Sequence, residues 1–193
     1  MTVLVAADGT ALALDTDRWW GPPDAAERAM LGTVADPVLD VGCGPGRIVA
    51  ALAAVGRVAL GVDPSPGAVD AAARRRAPVL RRSVFGPLPG EGRWGTVVLL
   101  DGNVGIGGDP VALLRRCAGL VRRGGEVVAE VGAPGSGTGP VTVRLEAAGD
   151  ATAWFPWATV AADDAPALAR SAGLRAPRLE AAGGRWFARA VRP

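Results

Sequence analysis

The 193-residue sequence contains no histidine, tyrosine, lysine or glutamine, and Asn103 is its only asparagine. Without histidine there is no zinc-ligand spacing to find, and two cysteines, Cys43 and Cys117, are too few for a disulfide framework. No metal site is expected. With histidine, lysine and tyrosine all missing, any general base has to be a carboxylate, a thiol or the substrate itself. Long apolar runs are missing too: "IVAALAAVG" falls far short of the ~20 residues a membrane span needs. The N-terminus carries Asp8 and lacks the basic start and apolar core of a secretory signal. A soluble, reduced, cytoplasmic protein with no membrane partner is the expectation.

Because lysine is absent, arginine supplies all 21 positive charges, against 19 acidic residues and a formal net charge of +2. Arginine without lysine, beside abundant alanine, glycine, proline and valine, fits the codon bias of a GC-rich genome, so the basic pI says little about partners. The clusters Arg74 to Arg76, Arg81-Arg82, Arg115-Arg116 and Arg122-Arg123 lie in four separate segments. No nucleic-acid footprint emerges from them.

What is present is 49% hydrophobic residues, enough for one well-cored domain over 1–193. "VLVAADGTALAL" places Asp8-Gly9 at a hairpin turn, and after Gly-Pro-Pro a short helix runs from Asp24 to Leu31 with acidic residues in its first turns. Strands and helices then alternate: "PVLDVG" with "GRIVAALAAVG", "VALGVD" with "PGAVDAAARRR", "PVLRRSV", "GTVVLLDG" with the helix "DPVALLRRCAGLVRR" ending at Gly124-Gly125, and "EVVAEV". This predicts an α/β fold, a doubly wound and mostly parallel sheet in three layers. "GAPGSGTGP" (132 to 140) is expected to be a flexible loop or lid. "VTVRLEAAGDATAWFPW" reads as two strands around Gly149-Asp150, "ADDAPALARSAG" as a helix, and "LRAPRLEAAGGRWFARAV" as two strands that finish the sheet with an antiparallel strand near the C-terminus.

"VLDVGCGPGRIVAAL" (38 to 52) is a strand, a glycine-rich turn and a helix, the arrangement that cradles nucleotides. A dinucleotide fingerprint needs a third glycine within the helix. That position is Arg47 counted from Gly42 and Val49 counted from Gly44, so the pattern fails. The turn instead reads Asp40-x-Gly42-x-Gly44-x-Gly46. A pyrophosphate brought beside Asp40 would meet a like charge, repelling by about 4 kcal/mol at ~4 Å and an effective dielectric near 20. A phosphate-free cationic ligand gains instead.

The D-x-G-x-G-x-G turn resembles the first motif of class I S-adenosylmethionine-dependent methyltransferases, and the elements from about residue 36 to 131 follow that family in register. The resemblance implies a Rossmann-like fold, S-adenosyl-L-methionine as cofactor and methyl transfer. It places Asp40, Gly42, Cys43, Gly44 and Gly46 at the cofactor. Asp63, with Pro64 beside it, holds the ribose hydroxyls from the end of the second strand. Members usually have an acidic residue for the adenine after the third strand; here Ser83 stands in that place, with the N–H of Val84 to meet a ring nitrogen. "VVLLDGNVGIGG" matches the loop over the methyl group and brings Asp101, Gly102 and Asn103 to the site. Asp101 and Asn103 are the candidates to orient the acceptor, and Asp101 is the only plausible base. Cys43 reads as a small buried residue rather than a nucleophile, and Cys117 as core.

Segments before the first strand (1–35) and after the fifth (132–160) form the substrate cover in the resembled family. Trp19, Trp20, Trp154 and Trp157, with Phe155, are therefore candidates for an aromatic acceptor pocket, or else pack the sheet edges; Trp94 and Trp186 read as core. An acceptor already nucleophilic near neutral pH fits best: an amine, a thiol, a carboxylate or an acidic hydroxyl on a small molecule. DNA amino-methylating members carry a proline-aromatic tetrad where this chain has "DGNV", which disfavours nucleic acid; a protein substrate and the oligomeric state stay open. Two other readings remain: a non-methylating S-adenosylmethionine-binding regulator, scaffold or cyclisation catalyst, and, more remotely, an NAD-dependent oxidoreductase.

Overall fold

A computed structural model describes residues 2–12, 16–147 and 150–193. The chain opens with the strands β1 (Thr2–Ala6) and β2 (Ala11–Leu12), then the helices α1 (Thr16–Trp20) and α2 (Ala25–Leu31). A regular alternation follows: β3 (Val38–Val41), α3 (Arg47–Ala54), β4 (Ala59–Asp63), α4 (Pro66–Arg74), β5 (Val79–Arg81), β6 (Trp94–Leu99), α5 (Pro110–Leu120) and β7 (Val121–Val131). The last part contributes β8 (Gly139–Ala147), β9 (Asp150–Ala151), β10 (Phe155–Thr159), α6 (Ala165–Ser171), β11 (Arg178–Ala182) and β12 (Arg185–Val191).

The main sheet has seven strands in the order β11-β12-β7-β6-β3-β4-β5. From β7 to β5 all pairs are parallel, while β12 pairs antiparallel with β7 and with β11, as the C-terminal pair of strands predicts. Strand side chains alternate between faces. Leu39, Val41, Val97 and Leu99 therefore join α5 and α6 in one core, while Val38 and Val98 join Met30, Leu31, Ile48 and Leu52 of α2 and α3 in the other. Burial on both sides is why β3 and β6 read as nearly unbroken apolar runs.

Helix starts follow local chemistry. Asp24 caps α2 and forms a capping box with Glu27, Ser65 caps α4 ahead of Pro66, and Asp109 caps α5 ahead of Pro110. The end of α5 differs from the sequence expectation. The helix stops at Leu120, and Val121, fully buried, already pairs beside Trp94 as the first residue of β7. An apolar valine satisfies a helix face and a buried strand alike, so periodicity alone does not separate them.

A second, wholly antiparallel sheet runs β10-β8-β1-β2, with β9 on β8. Its small core comprises Leu4, Ala6 and Val143, packed by Val141, Leu145, Phe155 and Trp157. The Asp8-Gly9 hairpin is present, but β1 lies chiefly against β8. The stretch 132 to 140, expected to be a flexible loop or lid, is tied down. The N–H of Gly132 reaches Val160 O, that of Gly135 reaches Asp163, and Thr138 Oγ1 accepts from Ala161 N–H. Among the described residues no helix is long and apolar enough to cross a membrane.

Candidate functional site

At the carboxyl ends of β3, β4 and β6 the chain makes two tight turns that face each other. The first spans Gly42 to Gly46, where Gly42, Gly44 and Gly46 all have left-handed φ (69°, 52° and 73°), a conformation that only glycine adopts without strain. Two glycines are also needed for contact. A Cβ on Gly46 would lie 2.8 Å from the Ala77 Cβ, and one on Gly42 would lie 2.6 Å from Asn103 Nδ2. At Gly44 the space is open, with nothing within 4 Å of the Cβ position, which leaves a cradle above the turn.

Two carboxylates flank that turn, Asp63 in contact with it and Asp40 two residues before it. Asp63 accepts from Gly44 N–H (3.0 Å) and Ser65 N–H (2.8 Å), so one side chain ties the glycine turn to the start of α4. Burial raises its pKa. Asp40 is buried, and desolvation pushes its carboxyl up to about 7 against the pull of Arg47; Asp101, Asp63 and Glu27 push in the same direction as burial. A concentration of carboxylates with one of them poised to ionise near neutrality fits a cationic ligand and opposes a pyrophosphate. The residues present thus suit the expected S-adenosylmethionine.

Cys43 packs against Gly61 of β4, whose Cβ would approach its Sγ to 2.5 Å. Burial raises that thiol far out of the nucleophilic range, and pushes the fully buried Cys117 to about 12. Both are core residues, as their setting in the sequence suggests. Beyond β5, Ser83 is exposed and its Oγ accepts from Phe85 N–H, while Val84 is buried.

The second turn follows β6. Asp101 (φ 54°) and Gly102 (φ 78°) are both left-handed and lead into a 3-10 turn, Asn103–Gly105. Asn103 does not extend its amide toward an acceptor: Nδ2 donates to the carbonyls of Val41 (3.0 Å) and Gly42 (2.9 Å), bracing one turn on the other. The glycines after it give access to the second sheet. A Cβ on Gly105 would sit 2.0 Å from Ala158 O, and one on Gly108 would sit 3.0 Å from Pro156.

Around Asp101 lies a set of ion pairs absent from the sequence reading. Arg47, the first residue of α3, donates to both oxygens of Glu27 and, through Nη2, to Asp101 Oδ2 at 2.7 Å. Arg185, at the start of β12, grips Glu130 through Nε (2.7 Å) and Nη2 (2.5 Å) and reaches Asp24 and Glu27 through Nη1. Glu130 Oε2 also accepts the N–H of Asp101. The other oxygen of Asp101, Oδ1, stands 3.8 Å from Arg18 and 3.7 Å from Arg185. Burial raises the pKa of Asp101, with Arg47 opposing. The available signals were the D-x-x-E spacing of Asp24 and Glu27 at a helix start, and an arginine set directly after the glycine turn.

Beside Asp101 and Gly102 opens a cavity of about 410 Å³, walled by Leu4 of the second sheet, Trp19, Val104, Glu130, Trp157 and neighbouring residues. Two of the four candidate tryptophans, Trp19 and Trp157, thus meet there. Trp20 (60% exposed) and Trp154 (45%) do not line it; they lie on the surface under Arg75 and Arg144, with guanidinium carbons 5.8 and 4.7 Å from the ring centroids. Phe155 meets Trp157 edge to face. Trp94 is buried and Trp186 half-buried against the larger core. Among the described residues no cluster has the makings of a metal site.

Residues 38–125 match a family model described as a methyltransferase domain. No curated protein matches the sequence significantly. Among solved structures, one S-adenosylmethionine-dependent methyltransferase from Bacteroides fragilis, in complex with S-adenosyl-L-homocysteine, has a TM-score of 0.82 at 18% identity, covering 100% of this chain and 88% of that one. The sugar N-methyltransferase KedS8 from Streptoalloteichus sp. is 25% identical, with a TM-score of 0.64 and 95% of both chains covered. NcsB1, an O-methyltransferase from neocarzinostatin biosynthesis, solved with S-adenosyl-L-homocysteine and 1,4-dihydroxy-2-naphthoic acid, is 27% identical with a TM-score of 0.60, over 81% of this chain and 49% of that one.

Proposed function

We propose that this chain, whose residues 38–125 match a methyltransferase domain, is a class I S-adenosylmethionine-dependent methyltransferase that methylates a small molecule held in the cavity beside Asp101 and Gly102. The single observation that carries this reading is the cavity itself. It abuts the loop after β6, it is walled on one side by the second sheet, and at about 410 Å³ it suits one small molecule rather than a folded protein or a nucleic-acid strand.

Asp40 and the glycine turn would hold the cationic part of the cofactor, Asp63 would take the ribose hydroxyls, and Ser83 with Val84 would border the adenine. The bound cofactor supplies a methyl group on a sulfonium, open to in-line displacement. The chain's share of the chemistry is alignment, worth ~7 to 11 kcal/mol when two reactants are well oriented. Asp101 Oδ2 is held by Arg47, so Oδ1 is the atom left to accept a hydrogen bond from the acceptor. Trp19 and Trp157 supply apolar walls, which favours an amine, thiol, carboxylate or acidic hydroxyl carried on a compact apolar frame.

Two measurements test this. Calorimetric titration is expected to show binding of S-adenosylmethionine and S-adenosylhomocysteine and none of NADH. Incubation with a panel of small amines, thiols, carboxylic acids and phenols is expected to release S-adenosylhomocysteine with one class, and Trp157→Ala is expected to lower that turnover without changing cofactor affinity. Tight cofactor binding with no release across the panel would favour a non-methylating role.

A further inference from the structure

We propose that Arg47 is the positioning residue of this site: anchored by Glu27, its guanidinium fixes one oxygen of Asp101 so that the other faces the cavity, while its charge balances Asp40 under the cofactor turn. The part concerning Asp101 rests on the cavity being the acceptor's seat; the part concerning Asp40 does not.

The geometry leaves Arg47 little freedom. Nη1 is 2.5 Å from Glu27 Oε2, and Nη2 is shared between Glu27 Oε1 and Asp101 Oδ2, both at 2.7 Å. A planar fork that already grips one carboxylate holds a second in a set direction, which the point charge of a lysine does not do. Glu27 cannot yield either, because Oε2 also closes the capping box with Asp24 N–H and Oε1 accepts from Arg185 at 3.0 Å. The anchor therefore reaches from α2, through the first residue after the glycine turn, to the loop over the acceptor.

The charged groups around Arg47 come from every neighbouring element. Glu27 and Asp24 come from the start of α2, Asp40 from β3, Asp63 from β4 and Asp101 from the loop after β6. Glu130 lies on β7, Arg185 on β12, Arg18 on α1, and Arg75 at the end of α4, where it feels the charge of Arg47. For Asp40, desolvation is the largest influence; Arg47 is next and opposes it, followed by Asp101, Asp63 and Glu27, which add to it. A cationic cofactor needs Asp40 ionised. Arg47 is thereby expected to lower the pH below which the cofactor is lost.

The test is the pH dependence of S-adenosylhomocysteine and S-adenosylmethionine binding by calorimetry, pH 5 to 9, with no acceptor present. Glu27→Gln/Arg47→Met removes both charges of the buried pair together. It is expected to move the midpoint of S-adenosylmethionine binding up by at least one pH unit, because Arg47 acts on Asp40 more strongly than Glu27 does. Arg47→Lys keeps the charge and is expected to keep the wild-type midpoint. The proposal is overturned if the neutral pair titrates as wild type, or if Arg47→Lys shifts as far as the neutral pair. Should the neutral pair not fold, Asp101→Asn decides: the charge of Asp101, which opposes Arg47 in its action on Asp40, is gone and the midpoint falls by half a unit or more, whereas an unmoved midpoint overturns the proposal.

Discussion

Glu27 and Arg47 meet fork to fork, both oxygens of one against two nitrogens of the other at 2.5 and 2.7 Å, with side chains 0% and 3% exposed. A charge buried this deeply is tolerated only while its partner remains. Removing one member is expected to cost ~3–5 kcal/mol, since it strands the other. Replacing both by neutral residues of similar size costs far less than the sum. A double-mutant cycle of Glu27→Gln and Arg47→Met in urea checks this, and additive losses would contradict it.

The same pair carries a pH signature. Burial alone would raise the pKa of Glu27, but the Arg47 fork, the N–H of Asp24 and the charge of Arg185 hold it at about 2, below the ordinary 4.5. The folded pKa is depressed, so the stabilisation is complete above pH 4.5 and is lost as pH falls toward 2, amounting to ~3 kcal/mol. Wild type is therefore expected to lose this increment between pH 4.5 and 2. A Glu27→Gln/Arg47→Met protein lacks that part of the acid dependence in denaturant titrations.

Asp40 has the opposite sign. Its folded pKa is raised from 3.8 to about 7, so between those values the cofactor-free protein holds a proton that the unfolded chain has released. Stability falls as pH rises through that window, by up to ~4 kcal/mol from this group. Asp40→Asn is expected to flatten the fall between pH 3.8 and about 7 and to stabilise the cofactor-free protein at pH 8. It is also expected to weaken S-adenosylmethionine binding at least tenfold. A variant that binds as tightly as wild type would remove Asp40 from the cofactor site.

Asn103 braces rather than reaches. Its Nδ2 bridges the carbonyls of Val41 and Gly42, and the side chain fills the space that a Cβ on Gly42 would need. Asn103→Ala leaves two inward-facing carbonyls without their donor, for an expected loss of ~1–3 kcal/mol and weaker cofactor binding. Asn103→Asp keeps the size but brings no donors and a like-signed oxygen, so it should do no better. Recovery of cofactor affinity in the aspartate variant would show that shape, not donation, is what the turn requires.

The parallel sheet and the glycine turn were legible in the sequence because local signals carry them. Apolar runs buried on both faces, such as those of β3 and β6, and glycines with left-handed φ leave marks within a dozen residues. The strand that ends at Asp63 was legible for the same reason, while a place for Asp63 at the cofactor came from the family resemblance. What lay beyond reading was long in range. That β1 leaves the hairpin context to pair with β8 depends on Val5 meeting Arg144, a register fixed only when the chain closes. Arg47 was read as the residue spoiling a dinucleotide pattern. Its partners, 20 and 54 positions away, belong to other elements, and a charged residue at a helix start gives no sign of whether it faces water or a buried carboxylate. The tryptophans divided likewise: Trp19 and Trp20 are adjacent, so one can line the cavity only if the other turns outward.

The contact between Gly105 and β10 is the seam on which the cavity depends. A methyl group at Gly105 would lie 2.0 Å from the carbonyl oxygen of Ala158 and 2.7 Å from Trp157 Nε1. The carbonyl belongs to backbone held in register by Pro140 across the strand pair, so the second sheet would have to move as a unit. Gly105→Ala is expected to cost ~1–3 kcal/mol as overpacking. It should also displace Trp157 and lower acceptor turnover, while leaving cofactor affinity near wild type, because the glycine turn at 42 to 46 is not in this contact. Gly119→Ala is the matched control. It lies within α5 with nothing within 4 Å of the added carbon, and alanine's helix preference should stabilise the protein by up to ~1 kcal/mol. Melting curves of the two variants are thus expected to move in opposite directions. If Gly105→Ala melts with wild type and turns over normally, the second sheet does not shape the acceptor site through this seam.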